Sequence, residues 1–213
     1  MGFVKTFIDF ILHLDTHLSA LIAQFGSGTY VILFFIVFAE TGLVVAPFLP
    51  GDSLLFAAGT FAALGSFNVI YLIITLIIAA ILGDAVNYYV GKYLGKKMIE
   101  KPNKIIKKEY LDKTEAFYQK YGKKTIVFAR FVPIVRTFAP FVAGIGKMKY
   151  SEFFAYNVVG AVLWVISMVL LGFYFGNIPI VKENFTIAIL VIIFISFLPA
   201  IIEFWKHHRS KKK

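Results

Sequence analysis

The chain has 213 residues, 59% of them hydrophobic and 17% aromatic, with a mean hydropathy of +0.79. Soluble domains are closer to 45–50% apolar, so an integral membrane protein is expected, organised as a single membrane domain over 1–213. The net charge is +10, and the absence of cysteine excludes disulfides, thiolate metal sites and a cysteine nucleophile.

In chain order, Met1 to Phe25 sets Phe3, Phe7, Phe10, Ile11, Leu14, Leu18, Leu21 and Ile22 at helical spacing, with polar residues elsewhere on the wheel. This predicts an amphipathic helix lying in the membrane interface. The segment lacks the uninterrupted apolar run and small-residue cleavage site of a signal peptide. Asp9, His13 and His17 share one face; a surface set without further ligands seldom closes a metal site, so no metal is expected.

Two apolar runs follow, Val31 to Leu49 and Ser53 to Leu64, and the stretch FAETGLVVAPFLPGDSLLFAAG joins them. It carries Glu40 and Asp52 among apolar residues and breaks at Pro47, Pro50 and Gly51. About 20 apolar residues are needed to span a bilayer as helix, so short broken runs predict half-helices that enter and return. Asp52-Ser53 after Pro50-Gly51 reads as an N-cap opening the second half-helix. Val69 to Val90 is long enough to span, and eleven lysines follow between Lys92 and Lys124. A second broken run, Thr125 to Val142, carries Arg130 and Arg136; spans at Phe153 to Phe175 and Phe185 to Trp205 and a basic tail complete the chain.

Gly65, Gly91 and Gly95 recur as Gly146, Gly172 and Gly176, each 81 positions on, and FAE at Phe38 is echoed by FAR at Phe128. The expected fold is therefore an all-α integral membrane protein of two inverted repeats. Each repeat has an amphipathic helix, a re-entrant broken-helix hairpin and a spanning helix, and a final transmembrane helix follows. Repeat one covers 3–98, repeat two 107–176, the C-terminal span 185–205 and the tail 206–213. By the positive-inside rule, the basic loop 92–124 and the C-terminus are expected to face the cytoplasm. The lysines flank spans and are not interleaved with exposed aromatics, which argues against nucleic acid and for anionic lipid headgroups. A homo-oligomer is compatible with this architecture.

Four charges lie at membrane depth: Glu40, Asp52, Arg130 and Arg136. Each costs about 2.5–3.5 kcal/mol at a helix centre, so they must be paired, neutralised or facing a wet cavity. Brought together, two acids from one repeat and two bases from the other satisfy one another. A buried ion-pair cluster that merely fixes the fold is the bland alternative, and a poor route to stability. Two arginines bind a phosphate with forked, charge-assisted bonds. Glu40 or Asp52 can then take a proton when ligand occupies the arginines and release it when they are vacated. Asp84, Asn87, Ser53 and Thr137 are secondary candidates for the site, while Glu152 and Asn157 read as capping or pairing residues. No histidine lies at membrane depth, no HExxH, GxSxG or Walker sequence occurs, and no nucleophile is evident. Neither an enzyme nor a cofactor is expected.

FAETGLVVAPFLPGDSLLFAAG, GDAVNYYVGKYLG and FARFVPIVRTFAPFVAG resemble the signature segments of the bacterial DedA family, also called the SNARE-associated or VTT-domain family. The resemblance runs through nearly the whole chain. It implies that Glu40, Asp52, Arg130 and Arg136 match the acids and arginines required in that family. It also implies proton-linked lipid translocation in the bacterial inner membrane, with undecaprenyl phosphate returned from outer to inner leaflet as the leading activity. A phosphatidylethanolamine flippase or scramblase is the alternative, and a non-transporting membrane-homeostasis protein a second one. A polyprenyl monophosphate, at about −1.5 to −2, suits two arginines; phosphatidylethanolamine suits an arginine plus a carboxylate.

Overall fold

A computed structural model describes residues 14–43, 51–100, 108–176 and 178–179. The C-terminal span 185–205, the tail, Asp9, His13 and the Pro47–Pro50 break lie outside the described residues. Every element that is described is helical. In order they are α1 (Leu14–Phe25), a 3-10 turn (Gly26–Gly28), α2 (Thr29–Gly42), α3 (Gly51–Ala63), α4 (Val69–Glu100), α5 (Lys108–Tyr121), a second 3-10 turn (Gly122–Lys124), α6 (Thr125–Ala129), α7 (Pro133–Ile145) and α8 (Tyr150–Phe175).

Three helical stretches are long and apolar enough to cross a membrane: Thr16–Gly42, Val69–Gly95 and Tyr150–Phe175. The first differs from the sequence expectation, which ended an interfacial helix at Phe25 and began the apolar run at Val31. Gly26, at φ 51°, closes α1 in a single 3-10 turn, and the helical path resumes at Thr29. The Thr29 hydroxyl donates to the carbonyl of Leu21 and ties the two pieces together. Along α4, Ile70, Ile74, Ile78, Leu82 and Val86 are all exposed at i, i+4 spacing. In water such a ridge would be costly, whereas against hydrocarbon it is the favourable face. The chain is a membrane protein, helical in every described element, and its polar α4 residues Asp84 and Asn87 are buried instead.

The chain forms two compact units. Unit one holds α1, α3, the first turns of α2 and α4, and the end of α8. Here α1 packs on α3, and α3 packs on α8 through glycines. A Cβ at Gly172 would collide with the Phe56 carbonyl, one at Gly59 with that of Val169, and one at Gly176 with Thr60. Thr60 Oγ1 donates to the carbonyl of Gly172 at 3.1 Å. Asn68 caps α4, its Oδ1 accepting from the amides of Ile70 and Tyr71.

Unit two holds the end of α2, most of α4, α5, α6, α7 and the first half of α8. Its seam is built the same way. A Cβ at Gly91 would strike the Phe141 carbonyl, one at Gly144 that of Tyr88, and one at Gly95 the Ile145 side chain. The α4 and α8 glycines match at a spacing of 81, and the α3 and α7 residues they meet match at 85. The 3-10 turns correspond at 96: Gly122 has φ 57°, and the Thr125 hydroxyl donates to Phe117 as Thr29 does to Leu21. One local construction therefore occurs twice. Each seam joins a short helix of one predicted repeat to the long helix of the other. The echo of Gly65 by Gly146 is displaced by one: Gly65 has φ 84°, but the left-handed residue after α7 is Lys147, at φ 53°.

Candidate functional site

The second apolar run is broken where the sequence places its first proline. α6 ends at Ala129, Arg130 to Val132 form a turn, Val132 is extended, and Pro133 opens α7 at a position where its missing N–H costs nothing. Arg130 thus sits in the break and Arg136 in the second turn of α7. Pro140 inside α7 has no N–H to give the Arg136 carbonyl four residues back.

Opposite them, α2 and α4 cross closely at Gly42 and Gly83. A Cβ at Gly83 would overlap the Thr41 hydroxyl and the Phe38 carbonyl. This approach sets Glu40, two residues before Gly42, and Asp84, one after Gly83, on the polar side of unit two. Glu40 Oε1 accepts from Arg136 Nη2 in a fully buried ion pair. Asp84 Oδ2 accepts from Arg130 Nη2 at 2.6 Å, and the same nitrogen donates to Asn157 Oδ1 at 2.6 Å. Arg130 is 2% exposed and Glu40 2%, so neither pair is a solvated surface contact.

The supporting residues come from three helices. Asn87 donates through Nδ2 to the carbonyls of Thr41, at 3.1 Å, and Thr137, at 2.8 Å, and so clamps the end of α2 to α7. On α8, Asn157, Gly160 and Trp164 share a face at i, i+3, i+7. Asn157 donates to the Ile81 carbonyl, and Gly160 leaves room for Arg130, whose Cδ lies 3.0 Å from where a Cβ would be. The buried Trp164 ring lies under both guanidiniums, 5.0 Å from Arg136 and 5.8 Å from Arg130. Tyr118 on α5 donates to the Ala139 carbonyl at 2.9 Å, and burial first, then the charge of Asp84, pushes its hydroxyl above the ordinary range.

The structure therefore gathers Glu40, Asp84, Asn87, Arg130, Arg136 and Thr137 into unit two. Asp52 and Ser53 belong to unit one; α3 already starts at Gly51, so Asp52 lies in its first turn and is not the N-cap expected from sequence, and Ser53 is buried. Asp84, ranked below Asp52 from sequence, is the carboxylate on Arg130. Trp164 and Gly160 were not singled out, although their spacing from Asn157 marks one helical face. Several buried atoms have no hydrogen-bond partner among the described residues: Arg130 Nε and Nη1, Asp84 Oδ1 and Asn87 Oδ1. Orphaned polar atoms of this kind are expensive in a dry interior, and the two guanidinium donors mark where a ligand's acceptors would fit. Chemically, the arrangement is two arginines, each held by one carboxylate, on a shared aromatic floor.

Comparison with known proteins adds the lineage. The family model of the VTT domain matches residues 49–174. The chain is 54% identical to Protein DedA of Escherichia coli K12, over 99% of this chain and 97% of the relative. It is 40% identical to an uncharacterized membrane protein of Mycobacterium tuberculosis H37Rv, over 88% of this chain and 84% of the relative. It is 29% identical to the inner membrane protein YqjA of E. coli K12, over 71% and 69%. No solved structure matches significantly.

Proposed function

This chain belongs to the VTT-domain family, the DedA family of membrane proteins, and we propose that it is a proton-coupled flippase for undecaprenyl phosphate. In this reading it works in the bacterial inner membrane, with its basic loop and C-terminus in the cytoplasm, and carries lipid from the outer to the inner leaflet. The activity is transport without catalysis. The inverted, re-entrant architecture belongs to the same proposal, because broken helices meeting at the midplane give each leaflet a route to one site.

The observation that carries it is the pair of buried arginine–carboxylate contacts, with Arg130 still offering Nε and Nη1. Two arginines and two carboxylates sum to zero charge. A monophosphate headgroup brings about −1.5 to −2, and a low-dielectric site tolerates that only if compensating charge enters with it. Protons on Glu40 and Asp84 supply it: as phosphate takes the guanidiniums, each carboxylate loses its cation and gains a proton. Asp52, in the first turn of α3 with Ser53 beside it, is the proton-binding carboxylate of unit one. A zwitterionic phosphatidylethanolamine needs no such protons. The one-to-one pairing of arginine with carboxylate favours that lipid as the second reading.

The same argument separates the two. Purified protein in liposomes should move undecaprenyl phosphate between leaflets faster when a pH gradient is imposed, and Arg136→Ala should abolish the movement. Gradient-independent movement of phosphatidylethanolamine at an equal or greater rate would replace the monophosphate reading with the phospholipid one. Movement of neither lipid, with folded protein, would overturn transport.

A further inference from the structure

Arg130 and Asp84 are paired incompletely. A carboxylate has two oxygens, and a guanidinium has two edges that each offer a fork of N–H groups, Nε with Nη2 or Nη1 with Nη2. A buried pair of this kind has the means to close at two points, yet here it closes at one. Asp84 Oδ2 accepts from Nη2 at 2.6 Å, while Oδ1 on one side and Nε and Nη1 on the other are buried without a hydrogen-bond partner. Unsatisfied atoms on both members of one pair are costly, so a further group must hold the two in this arrangement.

Asn157 is placed to do so. Nη2 carries two hydrogens, and Asn157 Oδ1 is its second acceptor, also at 2.6 Å. Because both forks contain Nη2, an acceptor on α8 takes one fork from Asp84 and draws the nitrogen away from the other. The Asn157 amide is itself fixed: its Nδ2 donates to the Ile81 carbonyl on α4 at 3.1 Å, which assigns Oδ1 to the guanidinium side. One turn along α8, Gly160 admits the Arg130 stem, with Nε 3.1 Å and Cδ 3.0 Å from where a Cβ would stand. Arg130 is thus seated on α8 by its stem and by its terminal nitrogen, and Asp84 reaches it from α4. Around this pair are Arg136 on α7 with Glu40 of α2, and Tyr118 on α5, whose hydroxyl feels the charge of Asp84. From α8 the pair receives the neutral Asn157 amide and the Trp164 ring.

We propose that Asn157 is a positioning residue that holds the Arg130–Asp84 pair open at a single point, so that Nε and Nη1 stay available to an oxyanion. An amide does not titrate, so the restraint is the same at every pH and remains when Asp84 takes a proton. That the oxyanion is a lipid headgroup rests on the transport reading; the restraint on the pair does not.

The test first reads the pair without lipid. Infrared difference spectra of the full chain in neutral detergent, recorded over pH, show the C=O stretch of protonated carboxyl groups, and the component that Asp84→Asn removes belongs to Asp84. Asn157→Leu takes the second acceptor away, and Asp84 then closes on Arg130 at two points. The charged carboxylate gains a hydrogen bond, so the midpoint of its component should fall by about one pH unit. Asn157→Ala, which leaves more room, should move it the same way. Asn157→Asp, of the same shape, sets a second carboxylate on one cation, and the upper midpoint of the two acids should rise by about one pH unit because like charges oppose the second ionisation. An asparagine that only fills space would lower the melting temperature in the neutral variants and leave the midpoint in place. A midpoint unmoved or raised in Asn157→Leu and Asn157→Ala would overturn the proposal, as would one unmoved in Asn157→Asp. The second arm is leaflet exchange of undecaprenyl phosphate, which Asn157→Leu should slow by about tenfold because the headgroup must then break a two-point ion pair. Infrared shifts of the expected signs with no exchange in the unmodified protein would keep Asn157 in this role and overturn the transport reading instead.

Discussion

The two units share a packing frame and differ in what they bury. In each, a short helix lies on a long one through three contacts where a glycine admits the neighbouring helix: Gly59, Gly172 and Gly176 in unit one, Gly91, Gly95 and Gly144 in unit two. At the spacing of 81 that relates the long helices, Asp84 of unit two corresponds to the buried Val165 of unit one, and Asn87 to Met168. The apolar version packs as closely as the charged one. Charge is therefore not what this frame needs in order to form, and the Asp84–Arg130 and Glu40–Arg136 pairs are additions to a construction that works without them.

The most forceful way to break that comparison is to remove one charge of a pair. Arg130→Ala leaves Asp84 buried without its cation, and uncompensated buried charges cost about 3–5 kcal/mol. A large fall in thermal midpoint is expected. Removing both, as Arg130→Met with Asp84→Val, should restore the thermal midpoint to near that of the parent, because Val165 shows the site tolerates valine. Leaflet exchange should stay absent in the double variant. A double variant as unstable as the single would mean that the charges are part of the frame after all.

The glycine seams provide a smaller and symmetrical effect. Gly91→Ala and Gly172→Ala place the same methyl against a carbonyl at corresponding points of the two units. Each must push a helix aside, at about 1–3 kcal/mol for overpacking. Equal falls in midpoint are expected, read by thermal unfolding in detergent. If Gly172→Ala is silent while Gly91→Ala is severe, the seams are not equivalent and the doubled construction loses its energetic meaning.

Much of this was legible in the sequence, for physical reasons that also explain the rest. Proline and glycine act locally, so the break at Arg130 and the opening of α7 at Pro133 could be read without the fold. The pairs Gly91/Gly172 and Gly95/Gly176 stood out because close approach tolerates no side chain. The correspondence of Gly26 with Gly122 did not, since its spacing of 96 differs from 81 and two flanking residues carry little signal. Partner choice was the least accessible: Arg130 has several acids within a chain's reach, and only the α2–α4 crossing at Gly83 selects Asp84 over Asp52. Trp164 looked like any apolar residue of a span, because what distinguishes it is the pair of guanidiniums above its ring.

Trp164 also gives the finest test of the comparison. Unit two's site has an aromatic floor, and cation–π contacts of this kind are worth about 0.5–2 kcal/mol. Trp164→Phe should thus slow leaflet exchange by a few-fold to about thirtyfold while the protein melts near its usual temperature. Trp164→Leu, which keeps bulk and loses the π face, should slow it further. The chain has two tryptophans, so Trp205→Phe leaves Trp164 as the sole reporter. A phosphate that draws the guanidiniums away from Glu40 and Asp84 must alter the field at that ring, and its emission should shift on addition of a monophosphate lipid. The shift should vanish in Arg136→Ala. A shift that persists in Arg136→Ala would place the headgroup away from the arginines, and the charged pairs of unit two would then be structural.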